Sequence, residues 1–260
     1  MLWHLAFGIE VGIDALVSPT HLLLLAGGAL LISSPVRAAR PTFGVSAGVH
    51  AWPVVISLAA VTSLAGFFLS YVSVFVDPLA REPLSTLPET DPGHRLAELP
   101  AITGLAGYLV GTVLLVGPLL YLLRRARLPR GAVTVLVAAI AVPAAMLSQL
   151  AFAAPALGAV LGAAVMDVIL ALRPDLPPAV AVALVPGLVW SGQLVGLAGG
   201  GDLRWPVELW AGVVVLAVLL AVGLDWLTGR NPDPAGTSWP ARSAATPLER
   251  QALGLARTDL

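Results

Sequence analysis

Four side chains able to hold a metal ion stand within eighteen residues near the start of the chain: His4, Glu10, Asp14 and His21, in WHLAFGIEVGIDALVSPTH. Two imidazoles and two carboxylates offer nitrogen and oxygen donors suited to Zn²⁺, Cu²⁺, Fe²⁺ or Mn²⁺. The chain has no cysteine, so thiolate sites, disulfides, iron–sulfur clusters and Cys nucleophiles are excluded. Glu10 and Asp14 are spaced i, i+4, which on a helix sets both carboxylates on one face. Ser18-Pro19 reads as N-cap and first helical position, which puts His21 in the first turn of the following helix. If the preceding segment folds back over that turn, the four groups converge. The competing reading is plainer. Acids near a helix N-terminus suit the macrodipole, and a histidine at a membrane interface can hydrogen-bond to backbone or headgroups.

Other polar groups extend the set. Glu208, in WPVELWAGV, is a candidate fifth ligand or a carboxylate capping a first turn, and His94 and Glu98, in DPGHRLAELP, are further outer-face candidates or members of a solvated loop. Asp167 lies deep in an apolar run, where a carboxylate is costly and by default functional; with Gln149 it is a candidate intramembrane relay. Ser148, Ser191 and Gln193 offer neutral partners at the same depth, and interhelical bonding is the commoner use of such groups. His50 falls at the opposite end of its span from His21, as the inner end of a path or an interfacial histidine beside Trp52.

The elements that must position these groups are membrane helices. Hydrophobic residues make up 58% of the 260 and charged residues 11%, against roughly a quarter charged in a soluble domain. The runs lack the polar-apolar alternation of barrel strands, so the fold class is all-α, a polytopic transmembrane helical bundle. Seven spans are expected, at 19–36, 45–73, 101–123, 131–153, 155–172, 178–198 and 206–228. The second is long enough to bend at Pro53, and the fourth and fifth require a tight turn at Ala154-Pro155. Residues 1–18 form an interfacial or re-entrant segment. Residues 229–260 are expected to form a cytoplasmic tail, either with a short helix near 247–257, announced by the capping-box start Thr246-Pro247-Leu248-Glu249, or mostly disordered. MLWHLAF has neither a basic region nor a small-residue cleavage pattern, so it does not read as a removed signal peptide.

Arginine sets the orientation, because cytoplasmic loops carry the positive excess. With the N-terminus outside and the C-terminus cytoplasmic, Arg37, Arg40, Arg124, Arg125, Arg127, Arg130, Arg173, Arg230, Arg242, Arg250 and Arg257 fall inside, and only Arg81, Arg95 and Arg204 fall outside. There is no lysine. The same division puts Glu10, Asp14, Asp77, Glu82, Glu89, Asp91, Glu98, Asp202 and Glu208 at the outer face, which should attract cations. Trp3, Trp205 and Trp210 near that face, with Trp52 and Trp226 near the other, read as an aromatic belt. The pairs Gly107/Gly111, Gly158/Gly162 and Gly192/Gly196 allow close helix approach, for folding or for a homo-oligomer.

Several classes drop out. A retinal Schiff base needs a lysine, and the seven-helix metal hydrolases that use a late HxxxH pair need histidines that do not follow His94. A bis-histidine haem would have to pair His4 with His21. No Walker motif, GxSxG elbow or dinucleotide fingerprint occurs, and no basic patch for nucleic acid lies outside the membrane-flanking arginines.

The pattern W-H-x-x-F-G-I-E-x-x-x-D-A-L-x-S-P-T-H followed by LLLLAGG, with RRARLPRG after the third span and PVELWAGVVVL at the seventh, resembles a group of uncharacterised polytopic membrane proteins from high-GC bacteria. The resemblance implies architecture and a bacterial cytoplasmic membrane, and brings no activity. Three functions are expected in order: transition-metal binding at the outer face for transport or delivery; a membrane-embedded metal-dependent enzyme acting on a lipid or other apolar substrate; and an accessory subunit docking a membrane partner.

Overall fold

The computed structural model describes residues 16–38, 51–125 and 128–229. Internal contacts divide the chain into Met1–Asp225 and Trp226–Leu260, and the account below concerns the first unit. Its elements are α1 (Pro19–Ile32), α2 (Ser34–Ala38), α3 (Trp52–Phe68), 3-10 turns at Ser70–Val72 and Leu79–Arg81, α4 (His94–Arg125), α5 (Ala132–Leu147), α6 (Ala153–Leu172), α7 (Pro178–Gly199) and α8 (Val207–Gly229). No strand occurs among the described residues. Four helices, α4, α6, α7 and α8, are long and apolar enough to cross a membrane; α1, α3 and α5 are apolar but shorter.

Each expected apolar run overlaps one of these seven helices, and the differences lie at the ends. The tight turn falls at 148–152 rather than at Ala154-Pro155, because Gln149 and Leu150 take left-handed conformations (φ 54° and 65°) that stop α5. Pro155 instead sits in the first turn of α6, where a missing N–H costs nothing. Pro53 likewise opens α3 rather than bending it. The first run breaks at Ser33, one residue before α2. Pro35 has no N–H to continue the ladder, and the carbonyls near the break find side-chain donors: the Arg37 guanidinium donates to Leu30 O (2.6 Å) and Ser57 Oγ to Ile32 O (2.5 Å).

Five helices close a ring in the order α3, α5, α6, α7, α4 and back to α3. The tightest seam joins α6 to α7. A Cβ built on Gly158 would strike the carbonyl oxygen of Gly192, and one on Gly192 would strike that of Gly158; Gly162 faces Leu188 and Gly196 faces Ala154 in the same way. Rising numbers on one helix meet falling numbers on the other, so the pair is antiparallel, and two of the small-residue motifs are consumed against each other inside one chain. The third is consumed as well: Gly107 makes room for the Val72 carbonyl and Gly111 for the Trp190 ring. Outside the ring, α1 packs chiefly on α3, while α8 lays Val213, Ala217 and Ala221, spaced four apart, against the ring's core residues, with Ala221 against Val116, Leu120 and Val182 of α4 and α7.

The connections alternate between two ends. At one, the Ala80 carbonyl accepts from Arg204 N (2.9 Å) and Trp205 N (3.2 Å), and the Arg81 guanidinium lies 5.1 Å over the Phe152 ring. At the other, Tyr121 donates to Val36 O and Arg124 pairs with Asp225 at 2.9 Å.

Candidate functional site

The candidate metal centre is described only in part. His4, Glu10 and Asp14 lie outside the described residues, as does His50. His21 stands in the first turn of α1 as expected, with Ser18 at the N-cap and Pro19 at the first position. The cap is unusual in what its hydroxyl does. Ser18 makes no side-chain bond to the helix N–H groups; its Oγ lies 2.8 Å from His21 Nδ1 and 3.1 Å from Thr20 Oγ1. Ser18 is buried and His21 half-buried. His21 Nε2 has no hydrogen-bond partner among the described residues. Glu208 is exposed in the first turn of α8, where the helix dipole favours an acid. Its helix shares no extensive interface with α1. Among the described residues no group of three or more His, Asp or Glu side chains gathers in ligand geometry.

His94 and Glu98 engage each other and the local backbone. Their Nε2 and Oε1 atoms are 3.3 Å apart, and His94 Nδ1 is 2.8 Å from the Leu87 carbonyl, which ties the 82–93 loop to the start of α4. Asp77, Arg81 and Glu82 form a similar local set at 3.4 and 3.6 Å.

Asp167 has a definite task in the fold. Its carboxylate accepts from Val133 N (3.3 Å), Thr134 N (2.8 Å) and Thr134 Oγ1 (2.6 Å). These are the second and third N–H groups of α5, the ones an N-cap side chain ordinarily takes. The N-cap of α5 is Gly131, in a left-handed conformation (φ 87°) and with no side chain to give. Asp167 therefore caps α5 from the neighbouring helix, and its bonds run to Val133 and Thr134. Gln149 sits exposed in the turn after α5, not at depth in a helix, because its left-handed backbone ends the ladder there.

The buried polar centre lies elsewhere and was only half visible in the sequence. Gln193 is fully buried; its Oε1 accepts from Tyr108 (2.7 Å) and its Nε2 reaches Val74 O at 3.4 Å. The Trp190 indole donates to Thr112 Oγ1 (2.8 Å), and Thr112 donates to Tyr108 O (2.8 Å). Tyr108 and Trp190 stack edge to face at 5.3 Å. Gln193 stood out as a polar group within an apolar run, whereas Tyr108, Thr112 and Trp190 carried no signal beyond their type. Trp205 departs from the expected aromatic belt: it is buried at 4% exposure beside Gly104 and Tyr108, because Gly104 leaves room for its ring. Beside Trp190 a small recess is walled by Leu69, Phe75, Val110 and Leu114, with Ser73 as its one side-chain hydroxyl, so it offers an ion no ligand set.

An all-helical chain with four helices long and apolar enough to cross a membrane points to the class of helical membrane proteins. No family model, curated protein or solved structure matches it.

Proposed function

We propose that the chain is a seven-span protein of a bacterial cytoplasmic membrane, with its N-terminus outside, that binds a transition-metal ion at its outer face for transport or delivery. His4, Glu10, Asp14 and His21 are the ligands and Glu208 a fifth. The alternation of the seven apolar helices between two ends supports the topology, as does the arginine division expected from the sequence, eleven inside and three outside. The kinked α1–α2 pair covers residues 19–38, or about 30 Å at 1.5 Å per residue, enough for one crossing.

The observation that carries the metal reading is His21. One ring nitrogen is held by a buried hydroxyl and the other is without a partner among the described residues, the disposition of a histidine prepared to coordinate. Elemental analysis of protein purified after exposure to Zn²⁺, Cu²⁺, Fe²⁺ and Mn²⁺ tests it. About one equivalent is expected in the wild type and much less in His21→Ala; metal-free wild type, or undiminished binding in the variant, overturns it.

A second reading, an accessory subunit docking a membrane partner, is favoured by the way His94, Asp167, Gln193 and Trp190 spend their polar atoms within the chain. Stable co-purification with a partner, together with absence of bound metal, selects it.

A further inference from the structure

Ser18 is placed to cap α1 and does not, and its diversion has a chemical meaning. The hydroxyl is buried at 4% exposure and makes no bond to the helix N–H groups. It is held instead between the His21 ring and the Thr20 hydroxyl. A serine at this position usually stabilises the helix by capping. Here that contribution is absent and the same atom orients an imidazole.

We infer that Ser18 is a positioning residue that holds His21 in the tautomer protonated at Nδ1, leaving the Nε2 lone pair as the coordinating atom. The inference rests on the proposed metal reading and names which atom of His21 serves it. A neutral imidazole carries one proton, and the bond made by one nitrogen decides the state of the other. Two proton orders satisfy the Thr20, Ser18 and His21 triplet. In one, His21 Nδ1–H donates to Ser18 Oγ, and Ser18 donates to Thr20 Oγ1. In the other, the direction reverses, Ser18 donates to Nδ1, and Nε2 carries the proton. Only the first leaves Nε2 free to bind a cation; the second makes it a donor to a carboxylate. The tautomer thus separates a metal ligand from a histidine that merely hydrogen-bonds.

Nitrogen-15 spectra of the metal-free, full-length protein labelled at histidine test this without any metal present, with the His21 signals assigned by their loss in His21→Gln. The wild type should show a protonated Nδ1 and an unprotonated Nε2. Ser18→Ala should move the balance toward Nε2–H, and Ser18→Thr, which restores the hydroxyl, should keep the wild-type pattern. In Zn²⁺ titrations Ser18→Ala should weaken binding by about 10- to 100-fold, with Ser18→Thr near wild type. A wild-type Nε2–H tautomer, or spectra unmoved in Ser18→Ala, overturns the inference. Zn²⁺ bound equally by wild type and Ser18→Ala but lost in His21→Ala also overturns it while leaving the metal reading intact. A wild type that binds no metal overturns both.

Discussion

The α6–α7 pair and α1 are similarly apolar helices with opposite fates. In α6 and α7 backbone meets backbone through Gly158, Gly162, Gly192 and Gly196, and α7 buries nine residues. No residue of α1 is buried, and a side chain added at Gly27 would meet nothing within 4 Å. Hydrophobicity does not separate the two, because lipid tails are as apolar as leucine and give helices no reason to prefer one another. Small residues in matching antiparallel register do. Among the described residues, the comparison puts the packed framework in the five-helix ring and leaves the helix carrying His21 at its edge, packed chiefly on α3.

The sharpest way to break this contrast is Gly158→Leu. Its side chain would collide with the Gly192 carbonyl, a backbone atom unable to swing aside, and about 3 kcal/mol of stability should be lost. Thermal unfolding in detergent should fall steeply; an unchanged midpoint would mean that the seam is looser than the geometry requires. A smaller effect is expected at the buried polar centre. Tyr108→Phe removes the donor to Gln193 Oε1, and about 1 kcal/mol should go with it, read as a modest drop in the same melting curve. Smallest, and opposite in sign, is Gly27→Ala on α1. With open space around it, the substitution should be neutral or raise stability by up to about 1 kcal/mol through helix propensity. A loss there would show that α1 is packed against something on that side.

The legible part of the fold was whatever a single helix decides for itself. The expected 178–198 and 206–228 correspond to Pro178–Gly199 and Val207–Gly229, and Ser18-Pro19 marked the start of α1. The expected third span began at 101 because His94, Arg95 and Glu98 read as loop, yet α4 starts at His94, where Gly93 and Asp91 arrange the turn that feeds it. The break at 148 was hidden because nothing in Gln149-Leu150 announces a left-handed backbone. For the candidate site, residue type and spacing drew attention to His21, Asp167 and Gln193; the partners Thr134 and Tyr108 are set by packing, and Ser18, read as a cap, serves the His21 ring instead. Asp167 illustrates why: its partner lies 33 residues earlier, on a helix whose deficiency is a glycine at the cap.

That same bond makes the start of one helix depend on its successor. A chain halted before residue 167 would hold α5 complete in length, with the Val133 and Thr134 N–H groups lacking the carboxylate that receives them. The cap of α5 is thus completed only when α6 lies beside it, and the glycine face of α6 is left for α7.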